Sequence, residues 1–108
     1  MVSISDDFIK YTIRISDSAS KELAEIYEYV KNNAYELAAH RQESLIIKRI
    51  RQLDVFPNGY PIVESNPPLR SLRAGRYRIF FLVNDNEQAV EIVHIVHSRR
   101  DMNSVTDM

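Results

Sequence analysis

The sequence predicts an α+β domain ordered βααβββ, with a helical hairpin packed on one face of a small antiparallel sheet. Three observations predict it. Apolar residues recur with a helical period between about residues 17 and 54, a stretch without glycine or proline. Beyond Pro57 the period changes to two. Two runs rich in β-branched and aromatic residues, 76–83 and 89–97, then flank the polar cluster Asn84-Asp85-Asn86-Glu87, which is a hairpin signal. Helices grouped before an antiparallel meander bury their apolar stripe against one sheet face.

Each element has its own local cause. Tyr11 to Ser16 alternates apolar and polar residues and reads as a half-buried first strand. Asp17 and Ser18 offer an N-cap to a helix over 17–33. Within it Ala19, Leu23, Ile26, Tyr27 and Val30 fall on one face. Asn32-Asn33 breaks that pattern, and a second helix runs from about Ala34 to Asp54 on Leu37, Ala38, Leu45, Ile46, Ile50 and Leu53. The short link between them predicts an antiparallel hairpin. Val55 to Pro68 holds all four prolines and Gly59, so it reads as a loop with an extended piece at Ile62-Val63. Strands follow at about 69–73, 76–83 and 89–97. The 76–83 strand is apolar on both faces, which predicts a central position.

A chain of 108 residues is expected to form one domain, with residues 1–9 and 102–108 read as flexible tails. There is no cysteine, so no disulfide framework or thiolate metal site exists. No His, Asp and Glu cluster has metal-ligand spacing, and two glycines do not make a phosphate-cradling loop. The expectation is therefore no metal and no cofactor. Met1 to Lys10 lacks a signal-peptide pattern, and the longest apolar run, Ile79 to Val83, is too short for a bilayer. A cytoplasmic location without membrane contact is expected.

Net charge is −1, yet the cations are unevenly placed. Arg70, Arg73, Arg76 and Arg78 occur with no acid among them, and Arg99 and Arg100 follow the last strand. A local basic patch on a near-neutral protein suits a defined anionic contact rather than bulk nucleic-acid coating. Composition leaves a plain solvated face as the equal alternative.

The residues resemble those of the RelE/ParE superfamily, the toxins of type II toxin–antitoxin modules. The likeness is carried by Ser16-Asp17-Ser18-Ala19, Leu23 to Val30, Ile50 to Pro57 with Gly59, Leu69 to Leu72, Gly75 to Phe81, and Ile95 to Asp101, in this order and spacing. It implies the same βααβββ fold and a cognate antitoxin that wraps the toxin. It also implies one of two targets. RelE-like members are ribosome-dependent endoribonucleases that cut mRNA, whereas ParE-like members poison DNA gyrase and are not nucleases. A degenerate, non-toxic relative acting only as an interaction domain would carry the same pattern.

Under the nuclease alternative the resemblance assigns phosphate contacts to Arg78 and Arg99, with Arg70 near a third basic position. Arginine suits a phosphorane but stays protonated, so a separate group must move the proton. His97, at a strand end beside two arginines, is the candidate for that proton transfer. Tyr77 alternates with Ile79 and Phe81 and reads as core, His94 points to the opposite face from His97, and His40 carries no signal. RelE-like enzymes also use a tyrosine, or a His-Tyr pair, in the C-terminal tail; this tail has neither, and the corresponding position is near Val105. That departure favours the ParE-like reading, in which Arg70, Arg73, Arg76, Arg78, Arg99 and Arg100 contact an acidic antitoxin and DNA gyrase.

Overall fold

A computed structural model describes residues 10–99. Its elements are β1 (Thr12–Ile15), α1 (Asp17–Asn33), α2 (Glu36–Arg51), two single 3₁₀ turns (Gln52–Asp54 and Pro57–Gly59), β2 (Ile62–Val63), β3 (Leu69–Ala74), β4 (Tyr77–Asn84) and β5 (Ala89–His97). Both helices pack on one face of a five-stranded sheet ordered β1-β5-β4-β3-β2. The tails at 1–9 and 102–108, together with Arg100, lie outside the described residues. No helix among the described residues is long and apolar enough to cross a membrane.

The α+β layering is as the sequence implies, and β4 is the middle strand. The sheet, however, is mixed. β1 runs parallel to β5, with Thr12 opposite Ala89 and Ile15 opposite Ile92, and the other pairs are antiparallel. The cause is the extended piece at Ile62-Val63. It is a strand, and its hairpin with β3 adds one reversal of chain direction before β4. β5 therefore runs the same way as β1.

The helix boundaries also differ slightly from expectation. Ser16, not Asp17 or Ser18, caps α1, its hydroxyl accepting the Ala19 amide at 3.0 Å. Asp17 then sits in the first turn, where its charge meets the positive end of the helix dipole. The link between helices is Ala34-Tyr35, because the Asn33 side chain bonds back to the Tyr29 carbonyl at 2.8 Å and completes the last turn. α2 stops at Arg51, and the remainder of the apolar pattern to Asp54 tightens into a 3₁₀ turn.

The core lies between helices and sheet. Ala19, Ile26, Ile46, Ile50 and Leu53 meet Ile79, Phe81, Val90, Ile92 and Ile95, all buried. Each such large side chain contributes about 1.5–3 kcal/mol. Ile92 and Ile95 are three apart, so a regular strand would place them on opposite faces. A bulge resolves this. Phe80 faces His94 while Phe81 faces Ile92, which leaves Val93 as an extra residue and returns Ile95 to the core. The helix-free face carries a smaller cluster around Phe80, which is fully buried, with Leu69, Val63, Leu82, Val93 and Val96 against it.

Candidate functional site

Two surfaces carry the chemistry. The first is a groove of about 1310 Å³ where the α1–α2 turn overhangs the Arg76 end of the sheet. Ile26, Tyr29 and Val30 of α1, Ala38 and Leu45 of α2, and Ile95 of β5 give it an apolar lining. Tyr29 and Tyr35 stand 62% and 56% exposed there. Glu22 and Glu25 place acid along α1, while Arg41 of α2 and Arg76 and Arg99 at the sheet end place cations. The Gln42 amide nitrogen is buried in this groove without a hydrogen-bond partner among the described residues. An apolar trough with an unmet donor and a cationic end is suited to a peptide segment that is apolar on one side and acidic on another.

The second surface is the helix-free face. Arg73 and Arg78 lie directly opposite each other on β3 and β4. Like charges so placed disfavour pairing. Each guanidinium is turned aside: Arg73 Nε donates to the Gly75 carbonyl at 3.1 Å, and Arg78 donates to Ser71 Oγ at 3.3 Å.

The structure distributes the six arginines unevenly. Arg70 is half-buried and donates to the Tyr60 carbonyl at 2.6 Å, tying β3 to the loop before β2. Arg73 and Arg78 share the helix-free face. Arg76 is exposed in the β3–β4 turn, where its carbonyl accepts the Ser98 amide at 2.9 Å. Arg99 is exposed at the groove, and its amide donates to His97 Nδ1 at 3.1 Å. That bond gives Nδ1 the acceptor role. His97 sits across from Tyr77 with rings edge to face, centroids 5.4 Å apart. His97 and Arg99 are thus together at the groove. Arg78 pairs with Val96, one residue on, and so faces away from His97.

His94 is on the helix-free side, its Nδ1 3.4 Å from Glu22 Oε2, an ion-pair distance without hydrogen-bond alignment. His40 bonds the Tyr27 hydroxyl at 3.1 Å on the outer helical surface. Sequence reasoning missed Glu22, Tyr29, Arg41 and Gln42. A signal existed for part of this set: Glu22, Ile26, Tyr29 and Asn33 fall at i, i+4, i+7 and i+11, a second stripe beside the core stripe of α1.

Comparison with known proteins follows the same lines. No curated protein matches the chain. The toxin–antitoxin complex RelBE2 from Mycobacterium tuberculosis is similar in fold, with TM-score 0.63 and 17% identity over 82% of this chain and 92% of that one. The chromosomal ParDE toxin–antitoxin system from P. aeruginosa is similar with TM-score 0.70 and 18% identity, over 82% of this chain and 96% of that one. At such identities the likeness concerns the fold. The family model for the ParE toxin of the type II toxin–antitoxin system parDE matches residues 13–102. This chain accordingly belongs to the ParE toxin family, within the RelE/ParE superfamily of type II toxin–antitoxin toxins.

Proposed function

We propose that the protein is a toxin that arrests growth by binding DNA gyrase, and that a cognate antitoxin neutralises it by seating an amphipathic acidic segment in the groove. The observation that carries the choice of target is the placement of His97 and Arg78 on opposite faces of the sheet. On this reading a phosphate held by Arg78 lies on the sheet face away from the His97 imidazole. A general base must stand within hydrogen-bond reach of the proton it takes. A gyrase poison needs no such pair, because its target contact is a protein interface. The near-neutral net charge also fits a protein target better than ribosomal RNA.

On this reading the antitoxin lays apolar residues on Ile26, Val30 and Leu45, an acceptor on Gln42, and carboxylates near Arg41 and Arg76. Arg73, Arg78, Arg99 and Arg100 remain for the target. The test uses purified full-length toxin freed of its partner. Gyrase supercoiling is expected to fall in proportion to toxin added, with cleaved DNA accumulating. Normal supercoiling at a large excess of folded toxin, together with cleavage of ribosome-bound mRNA, would establish the nuclease alternative instead.

A further inference from the structure

β1 covers β5 only from Ala89 to Ile92. At Ser16 the chain leaves the sheet for α1, so among the described residues no strand lies beside Val93–His97 on that side. Two side chains stand in this vacated lane. Ser16 Oγ donates to the Val93 carbonyl at 3.2 Å, and the Ile95 amide donates to Glu22 Oε1 at 2.9 Å. The Ser98 amide, by contrast, points to Arg76 on the β4 side. The Glu22 carboxylate therefore occupies the place that a carbonyl of a neighbouring strand would take. His94 Nδ1 lies 3.4 Å from the second carboxylate oxygen.

We propose that Val93–His97 is a strand-docking edge and that Glu22 is the guard that keeps a second copy of this chain off it. An unpaired edge is a template for any extended backbone, and proteins blunt such edges with charge. A second copy is the partner the lane fits. Two such edges meeting antiparallel about Ile95 give a closed two-fold pair, in which the same groups face each other. In that pair each Ile95 amide needs a carbonyl from the other copy. Glu22 already fills that role, and two Glu22 carboxylates would converge at the axis. The guard thus acts chiefly by satisfying the donor, and repulsion between the two carboxylates is a smaller addition. The guard belongs to the fold and stands whichever target the toxin has.

The test uses the full-length chain, by light scattering and by amide hydrogen exchange read by NMR. Wild type is expected to be monomeric, with the Ile95 amide exchanging as slowly as that of Val96. Glu22→Ala is expected to double the solution mass at concentrations where wild type stays monomeric. Glu22→Gln keeps the acceptor, so it is expected to remain monomeric with Ile95 protected. A folded, monomeric Glu22→Ala overturns the proposal. So does a Glu22→Gln variant that dimerises like Glu22→Ala, or a wild type already paired through β5. Free exchange of the Ile95 amide in wild type overturns it even if Glu22→Ala fails to fold.

Discussion

The Ser16 hydroxyl is fastened to Val93, 77 residues later, by a 3.2 Å hydrogen bond to the carbonyl at the β5 bulge. The same oxygen accepts the Ala19 amide and caps α1. One atom thus joins the start of the first helix to the last strand. Ser16→Ala removes a helix cap worth about 1 kcal/mol and a half-buried hydrogen bond worth roughly 0.5–1.5 kcal/mol. The expected loss is about 1.5–2.5 kcal/mol in urea denaturation. Ser16→Thr keeps the hydroxyl and should recover most of it.

Gly75 turns β3 into β4 with φ of +62°, and a Cβ there would lie 3.1 Å from Leu45 Cδ2. An L-residue in this region costs about 1–2 kcal/mol. Gly75→Ala should lower the melting temperature by about 4–8 °C per kcal/mol lost. Leu45 can yield by a few tenths of an ångström, so backbone strain is the larger part. A melting curve unchanged from wild type would show that the turn has relaxed.

The opposite end of the sheet is held by a polar clasp. The Asp85 carboxylate accepts the Tyr11 hydroxyl at 2.7 Å and the Asn58 amide at 2.9 Å. Those bonds lower the pKa of Asp85, with the Tyr11 bond the larger cause, and Asp85 in turn raises that of Tyr11. The signs give two pH limbs. A lowered acid contributes stability above its unfolded pKa, near 3.9, and loses it as pH falls through the folded value. A raised phenol contributes stability below its unfolded pKa, about 10, and loses it as pH rises through the folded value. Asp85→Asn should flatten the acid limb of stability against pH, which denaturation between about pH 2 and 5 measures.

Groove variants test where the antitoxin sits. Tyr29 is a large exposed aromatic that an incoming segment would bury, the usual anchor of an interface. Tyr29→Ala should weaken antitoxin binding by about 2 kcal/mol, mainly through faster dissociation. Arg76→Glu should instead slow association and reduce its salt dependence. Surface plasmon resonance at two ionic strengths separates the two effects. Unchanged binding in both variants would move the antitoxin site elsewhere.

Replacing Arg99 and Arg100 together by alanine should relieve growth arrest while the fold survives, because strand-end arginines are rarely core. Survival of cells expressing the pair variant, with an unchanged circular-dichroism spectrum, is the expected outcome. Full toxicity would remove these two residues from the target contact.

Much of the fold was legible because its causes are local. The helical stripe through Ala19, Ile26, Ile46 and Ile50 and the two-sided apolar run Ile79 to Val83 each declare their surroundings. The mixed sheet was not legible, because it turns on whether two residues, Ile62 and Val63, pair with β3. A two-residue strand leaves no periodicity to read. The position of Ile95 was hidden by the bulge at Val93, which depends on partners far along the chain. The site was harder still. The arginine cluster 70–78 is visible as a run, yet strand alternation and turns divide it among a loop tie, an open face and a groove. His97 and Arg78 look like candidates for one site until the register sends them to opposite faces.

The pairing of β1 with β5 makes synthesis itself a checkpoint. Thr12 waits for Ala89, its partner 77 positions later. At about 5–20 residues per second, the nascent chain spends roughly 4–15 s with its first strand made and no neighbour for it. Any product cut short before Ala89 also leaves β4, apolar on both sides, without its partner on one flank. No N-terminal fragment that ends before Ala89 reproduces the sheet. A message broken before that point therefore yields a chain without the completed sheet, and the folded domain exists only once translation has passed the last strand.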